Sequence, residues 1–244
     1  MYALDPVLFA ADRLGFTAPD PWQAAFLRAS DRQTLLNCHR QAGKSTAAAI
    51  LALHRVWFYP GSLVLLVSPS LRQSGELFKK VVDYLDMLPE RPKRLPEDNK
   101  LSFELPNRSR VVSLPGSEGT IRGFSKANLL IEDESAQVDD STYKASRPFL
   151  AISRGQLVLM STPHGQRGHY YDTWTKGGKD WKRVEVPVSK CKRIPAAFLA
   201  GEKRALGEMW YRQEYLCEFL GNTYSIFSPE LIDALVSDKV KAWD

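Results

Sequence analysis

Short runs built around consecutive apolar residues, alternating with helix-length segments, restrict this chain to one class of fold. The runs are residues 34–38 (TLLNC), 62–68 (SLVLLVS), 128–134 (NLLIEDE) and 156–162 (QLVLMST). A strand with one wet face alternates apolar and polar residues, whereas a continuous apolar run belongs to a strand covered on both faces. Helical stretches separate the runs, over residues 44 to about 57, 71 to about 88 and about 141–151. The alternation predicts an α/β domain with a mostly parallel central sheet flanked by helices. SFEL at 102–105 and RVVSL at 110–114 read as a strand pair joined by PNRS, and residues 182–188 as one more strand. Residues 1–30 read as amphipathic helix interrupted at Pro19 and Pro21, 89–100 as a polar loop, and 195–219 as two polar helices carrying aromatic residues. The expected division is a core over 1–188 and a small lid or linker subdomain over 189–244.

The first apolar run leads into CHRQAGKST, residues 38–46. Gly43-Lys44-Ser45 at a strand-to-helix turn suits a phosphate loop. Successive backbone N–H groups point inward at the phosphates, Lys44 reaches the β and γ oxygens, and the Ser45 hydroxyl serves Mg²⁺, with Gln41, Ala42, Gly43 and Thr46 also expected to bind nucleotide. Ala47-Ala48-Ala49-Ile50-Leu51 supplies the helix whose N-terminus favours the anion. Cys38 occupies the place of the motif's first glycine, so that turn must stay within ordinary backbone angles. The bland alternative is a surface Gly-Lys-Ser at a helix N-cap.

A second element supports the loop. An apolar strand ending in Glu132-Asp133-Glu134 puts carboxylates where a P-loop ATPase holds Mg²⁺ and polarises the attacking water. Asp133 is the expected Mg²⁺ residue and Glu134 the expected general base. Glu132 stands where an apolar residue is more usual, so a shift by one, with Glu132 and Asp133 as the pair, is the alternative. So is a strand that simply runs into an acidic loop.

Arg40-Gln41-Ala42-Gly43-Lys44-Ser45-Thr46 resembles the deviant Walker A of the large terminase subunits of tailed double-stranded DNA bacteriophages, a family that often lacks the first glycine. Asp133-Glu134-Ser135-Ala136 resembles its Walker B, and Ser161-Thr162-Pro163 with Gly165 its coupling motif. Pro21-Trp22-Gln23 resembles its adenine-side motif, and YRQEYLCEF at 211–219 the stretch joining its ATPase and nuclease halves. The match runs over about residues 20–228, with five motifs in order.

The resemblance implies a P-loop NTPase of the ASCE type that uses ATP and Mg²⁺ to drive double-stranded DNA into a procapsid. In this reading Trp22 and Gln23 stack on and hydrogen-bond adenine, Arg40 senses the γ-phosphate, and Ser161 and Thr162 report its loss. Arg122, in a loop between Gly119 and Gly123, is the candidate arginine finger acting in trans on a neighbouring subunit. The alternatives are a core aromatic for Trp22, a solvent-facing loop residue for Arg40, a loop cap for Thr162 and an ordinary ion pair for Arg122. The implied partners are DNA phosphates, the capsid portal, the small terminase subunit and further copies of the chain in a ring. The implied location is the host cytoplasm, transiently docked on the procapsid and not secreted. The chain ends at Asp244, where a nuclease half is expected to begin, and the late carboxylates are scattered, so no DNA cleavage is expected. A P-loop helicase or translocase outside packaging, and a scaffold that binds nucleotide without hydrolysis, are the rivals.

Composition agrees without deciding. Lys and Arg total 33 against 28 Asp and Glu, a net charge of +5, which permits a polyanion partner. Basic clusters at 91–94, Arg108/Arg110, 176–183 and 190–193 contain no base-reading motif, so DNA contact is expected with phosphates. Cys38, Cys191 and Cys217 are widely spaced and odd in number, which argues against a disulfide framework or zinc site. The N-terminus has no basic n-region, and no apolar run nears the ~18 residues of a membrane span.

Overall fold

The computed structural model describes residues 1–90, 101–116, 123–191 and 193–221. Seven strands form one sheet: β1 Gln33–Cys38, β2 Leu63–Ser68, β3 Ser102–Glu104, β4 Arg110–Pro115, β5 Leu129–Asp133, β6 Gln156–Ser161 and β7 Lys182–Val186. Their order is β3-β4-β2-β5-β6-β1-β7. Among the described residues only β3 and β4 pair antiparallel, as the short PNRS connection requires; the other pairs are parallel. The expected α/β fold is present, with β6 inserted between the loop strand β1 and the acidic strand β5.

The helices are α1 Pro6–Arg13, α2 Pro21–Arg28, α3 Lys44–Phe58, α4 Leu71–Asp86, α5 Asp140–Ser146, α6 Gly168–Lys176 and α7 Ala196–Leu216. Local chemistry starts several of them. The Asp5 carboxylate accepts from the Val7 and Leu8 amides ahead of Pro6. Gln23 Oε1 accepts from the Asp20 amide at 2.9 Å behind Pro21. Ser70 Oγ accepts from the Gln73 amide at the start of α4. Within α7, Gly207 leaves helical geometry (φ 79°, ψ 165°), so this range consists of two helices meeting at that residue, as the sequence suggested.

Strands β1, β2, β5 and β6 each feed two cores. Leu36, Val64, Leu66, Leu129, Ile131, Val158 and Met160 pack with α1–α4 on one face. Leu35, Leu65, Val67, Leu130, Leu157 and Leu159 pack on the other face with Tyr143, Tyr170 and Trp181. This strict alternation explains why the sequence shows unbroken apolar runs. All three cysteines are free and buried. Among the described residues, no helix is long and apolar enough to cross a membrane.

Candidate nucleotide site

Strands β1, β6 and β5 end side by side: Asn37 is paired with Ser161, and Met160 with Asp133. The carboxyl ends of parallel strands are where open α/β sheets bind ligands. Here they carry the loop, the coupling serine and the acidic pair.

The loop leaves β1 after Cys38, which still pairs with Val186. Its left-handed positions are Gln41 (φ 63°) and Gly43 (φ 90°). Cys38 therefore sits in ordinary strand geometry, which is why a residue with a Cβ is tolerated there. Gly43 is different. A Cβ on it would lie 2.7 Å from Gln23 Nε2, and that amide donates to the Gly43 carbonyl at 3.3 Å. Arg193 braces the loop from another side, donating to the Ala42 carbonyl at 2.7 Å and pairing with Asp20 at 2.7 Å. The Arg40 amide donates to the Glu214 carbonyl of α7 at 2.8 Å. His39 is fully buried with Nδ1 2.6 Å from the Arg40 carbonyl. Burial pushes its pKa below the usual value, and Lys44 and Arg193 act in the same sense.

Lys44 opens α3 with only 7% of its surface exposed. Its Nζ lies 3.3 Å from Glu134 Oε1. Burial alone would lower its pKa, but Glu134 and Asp133 outweigh that and hold it above the usual lysine value. Asp133 is equally buried. Burial and the neighbouring Glu134 charge push it up to about 6, against the pull of Lys44. Glu134 takes a left-handed conformation (φ 48°, ψ 43°), its amide donating to Asp133 Oδ1 at 3.0 Å. Ser161 Oγ donates to Glu134 Oε2 at 3.3 Å. Two adjoining carboxylates beside the buried Lys44 suit a further cation held next to them. Beside them is a cavity of about 510 Å³, lined by Ser45, Asp133 and Glu134 with Ser70, Gln73 and Lys80.

The alternation along β5 bears on the two registers of the acidic pair. Ile131 belongs to the core beneath α3, and Asp133, two residues on, meets Lys44. Glu132 faces the opposite side, where its Oε1 lies 2.6 Å from His169 Nε2. Glu132 and Asp133, the pair of the shifted register, therefore lie on opposite faces of the sheet.

Other site residues fall less simply. Trp22 packs into the apolar core at 8% exposure, the core-aromatic arrangement rather than an open stacking platform. Gln23 is fully buried and acts as a strut between α2 and the loop. Arg40 keeps 70% of its side chain exposed, with Nη1 3.6 Å from Glu214 Oε2. Ser45 and Thr46 are half-buried in the first turn of α3, and Thr162 is buried just beyond β6. Arg122 lies outside the described residues, as does the basic run 91–94. Of the remaining basic clusters, Arg110 pairs with Glu104, and Arg183 donates to the Gly178 and Thr173 carbonyls. Lys190 donates to the Glu185 carbonyl. Much of this charge is internal bracing.

Sequence reasoning missed Lys80, Ser70 and Gln73 of the cavity wall, Arg193, and the His169 partner of Glu132. The N-cap serine of an amphipathic helix following a buried strand was the one available signal for the α4 wall.

The family model described as "Terminase large subunit, T4likevirus-type, N-terminal" matches residues 36–233. The chain is 24% identical over 246 residues to a large terminase subunit of Thermus phage G20c, covering 86% of this chain and 50% of that protein. It therefore spans about half the length of that relative. In structure it is similar to the large terminase ATPase domain of Thermus phage P74-26, with TM-score 0.77 and 22% identity over 89% of this chain and all of that one. It is also similar to the large terminase of a thermophilic bacteriophage in complex with ADP, with TM-score 0.66 and 12% identity over 83% of this chain and 54% of that one. With the loop, the acidic pair and the coupling serine converging at the carboxyl ends of neighbouring strands, and the family's N-terminal model matching residues 36–233, the chain belongs to the large terminase subunit family.

Proposed function

We propose that the chain is the ATPase motor part of a phage DNA-packaging machine, binding ATP on loop 38–46 and using its hydrolysis to move double-stranded DNA. The observation that carries this is the contact of Glu134 with both Lys44 and Ser161 at the ends of three neighbouring strands. Similar proteins agree: the large terminase of the thermophilic bacteriophage is known in complex with ADP and with ATP-gamma-S.

In this reading the loop amides and Lys44 hold the β- and γ-phosphates. Ser45 and Asp133 are the residues to hold Mg²⁺, which supplies positive charge against the phosphates. Among the described residues, no group of three or more His, Cys, Asp or Glu is placed to hold a metal. A small hard cation that keeps water and phosphate in its shell fits such a sparse donor set. Glu134 orients a water and takes its proton as oxygen attacks the γ-phosphorus; the bond to the β–γ bridging oxygen breaks, leaving ADP and phosphate. Arg122 of a neighbouring copy adds charge stabilisation in trans. Ser161, already bonded to Glu134, senses loss of the γ-phosphate, with Thr162 beside it.

Segment 189–244 is the proposed lid and linker of the chain; its described part touches the loop through the hydrogen bond from the Arg40 amide to the Glu214 carbonyl, and residues 222–244 lie outside the described residues. Duplex DNA phosphates, a portal, a small terminase subunit and a ring of identical copies are its proposed partners, on a procapsid in the host cytoplasm. The test is steady-state ATP turnover against protein concentration, with and without duplex DNA. Turnover that rises with concentration and with DNA, and falls with salt, supports the motor. Turnover indifferent to both removes translocation and leaves an ATPase of another kind.

A further inference from the structure

Glu132 is a fully buried carboxylate in the middle of a sheet, on the face away from the nucleotide site. Its Oε1 receives the Ser135 hydroxyl at 2.5 Å and lies 2.6 Å from His169 Nε2. His169 Nε2 is also 3.1 Å from Ser135 Oγ. On its other side, His169 Nδ1 lies 3.0 Å from Asp140 Oδ1, which also accepts the His169 amide at 2.7 Å. The imidazole stacks on Tyr143 at 4.2 Å and 12°. The cluster thus ties β5, the turn after it, α5 and α6 together.

A buried ion pair is a poor source of stability, because apolar residues of similar size usually do as well or better. Its position suggests another use. Ser135 directly follows Glu134, whose left-handed backbone carries a conformational cost for a residue with a Cβ. On the near side the turn is held by the Glu134 amide on Asp133. On the far side it is held through Ser135. The Glu134 carboxylate meets Lys44 and Ser161 at 3.3 Å each, so a small rotation of this turn would change both contacts.

We propose that Ser135 and His169 are positioning residues for Glu134, clamping its left-handed turn through Glu132 from the opposite face of the sheet. The inference rests on the reading of Glu134 as the water-orienting base. Ser135→Ala removes the hydroxyl link and leaves the Glu132–His169 pair in place. The double replacement Glu132→Leu with His169→Phe removes link and charges together and restores an apolar interior. Steady-state kinetics and thermal melting of both, alongside Glu134→Gln, form the test. The clamp requires that Ser135→Ala melt near the wild type and keep its KM for ATP, while kcat falls about tenfold or more, the size of one hydrogen bond to a charged group. The double variant, melting normally, must show a similar fall. Wild-type kcat in Ser135→Ala, with Glu134→Gln inactive, overturns the clamp alone and makes the cluster a structural ion pair. Wild-type kcat in Glu134→Gln overturns the base assignment, and the clamp with it.

Discussion

Replacing Asp133 with Asn should make the nucleotide-free protein more stable at neutral pH while ending its Mg²⁺-dependent turnover. The Asp133 carboxyl is pushed from the ordinary 3.8 up to about 6 by burial and by Glu134. A carboxyl whose pKa is higher folded than unfolded binds protons more tightly in the fold. Stability is then lost as pH rises from about 4 through 6, and the loss is complete above that window. At pH 7.5 keeping this buried carboxylate ionised costs on the order of 2–3 kcal/mol. Asparagine keeps the oxygen that accepts from the Glu134 amide but carries no charge. Lys44 loses one favourable neighbour in exchange, so the lower end of the range is expected. For a chain of this length, about 2 kcal/mol raises Tm by roughly 4–8 °C. Melts of both proteins at pH 4.5 and 7.5 decide it. A clear gain at pH 7.5 that shrinks to roughly a third at pH 4.5 is expected. An equal or lower Tm at pH 7.5, or the same gain at both pH values, refutes the electrostatic reasoning.

Gly43→Ala should cost about 1–3 kcal/mol in stability and most nucleotide affinity, because φ is 90° and a Cβ meets Gln23 Nε2; Tm and nucleotide titration check both. Trimming Gln23 to Ala in the same chain should recover part of the stability. Lys44→Ala should abolish nucleotide binding, and because it strips the acidic pair of its buried cation, its destabilisation should be larger at pH 8 than at pH 5; an equal loss at both would count against the pairing. Arg122→Ala subunits mixed with Lys44→Ala subunits should regain turnover if Arg122 serves a neighbouring copy, and assembled rings without recovery would rule out a trans finger.

The sheet is legible in the sequence because strands buried on both faces write continuous apolar runs, and β1, β2, β5 and β6 all do. Lys44, Asp133 and Glu134 are legible because a phosphate loop and an acidic strand end have fixed local chemistry. The face of the sheet met by Glu132 is not, since alternation assigns faces only once one residue of the strand is anchored. His169 lies 37 residues beyond Glu132 in sequence, and an isolated histidine carries no local sign of its partner. Arg193 reads as surface charge for a polyanion, whereas it holds the Ala42 carbonyl and Asp20. For Trp22 the resemblance implies adenine stacking with a core aromatic as the alternative, and its α2 position packs it into the core.

The most direct measurement of the ATPase claim is single-turnover hydrolysis of labelled ATP by the wild type and by Glu134→Gln, with ATP binding measured in parallel. Glu134 keeps its neighbours Lys44 and Ser161 close enough for the amide to fill the same space. The account requires Mg²⁺-dependent cleavage by the wild type and intact ATP binding with no cleavage by the variant. Cleavage by Glu134→Gln at the wild-type rate would contradict it.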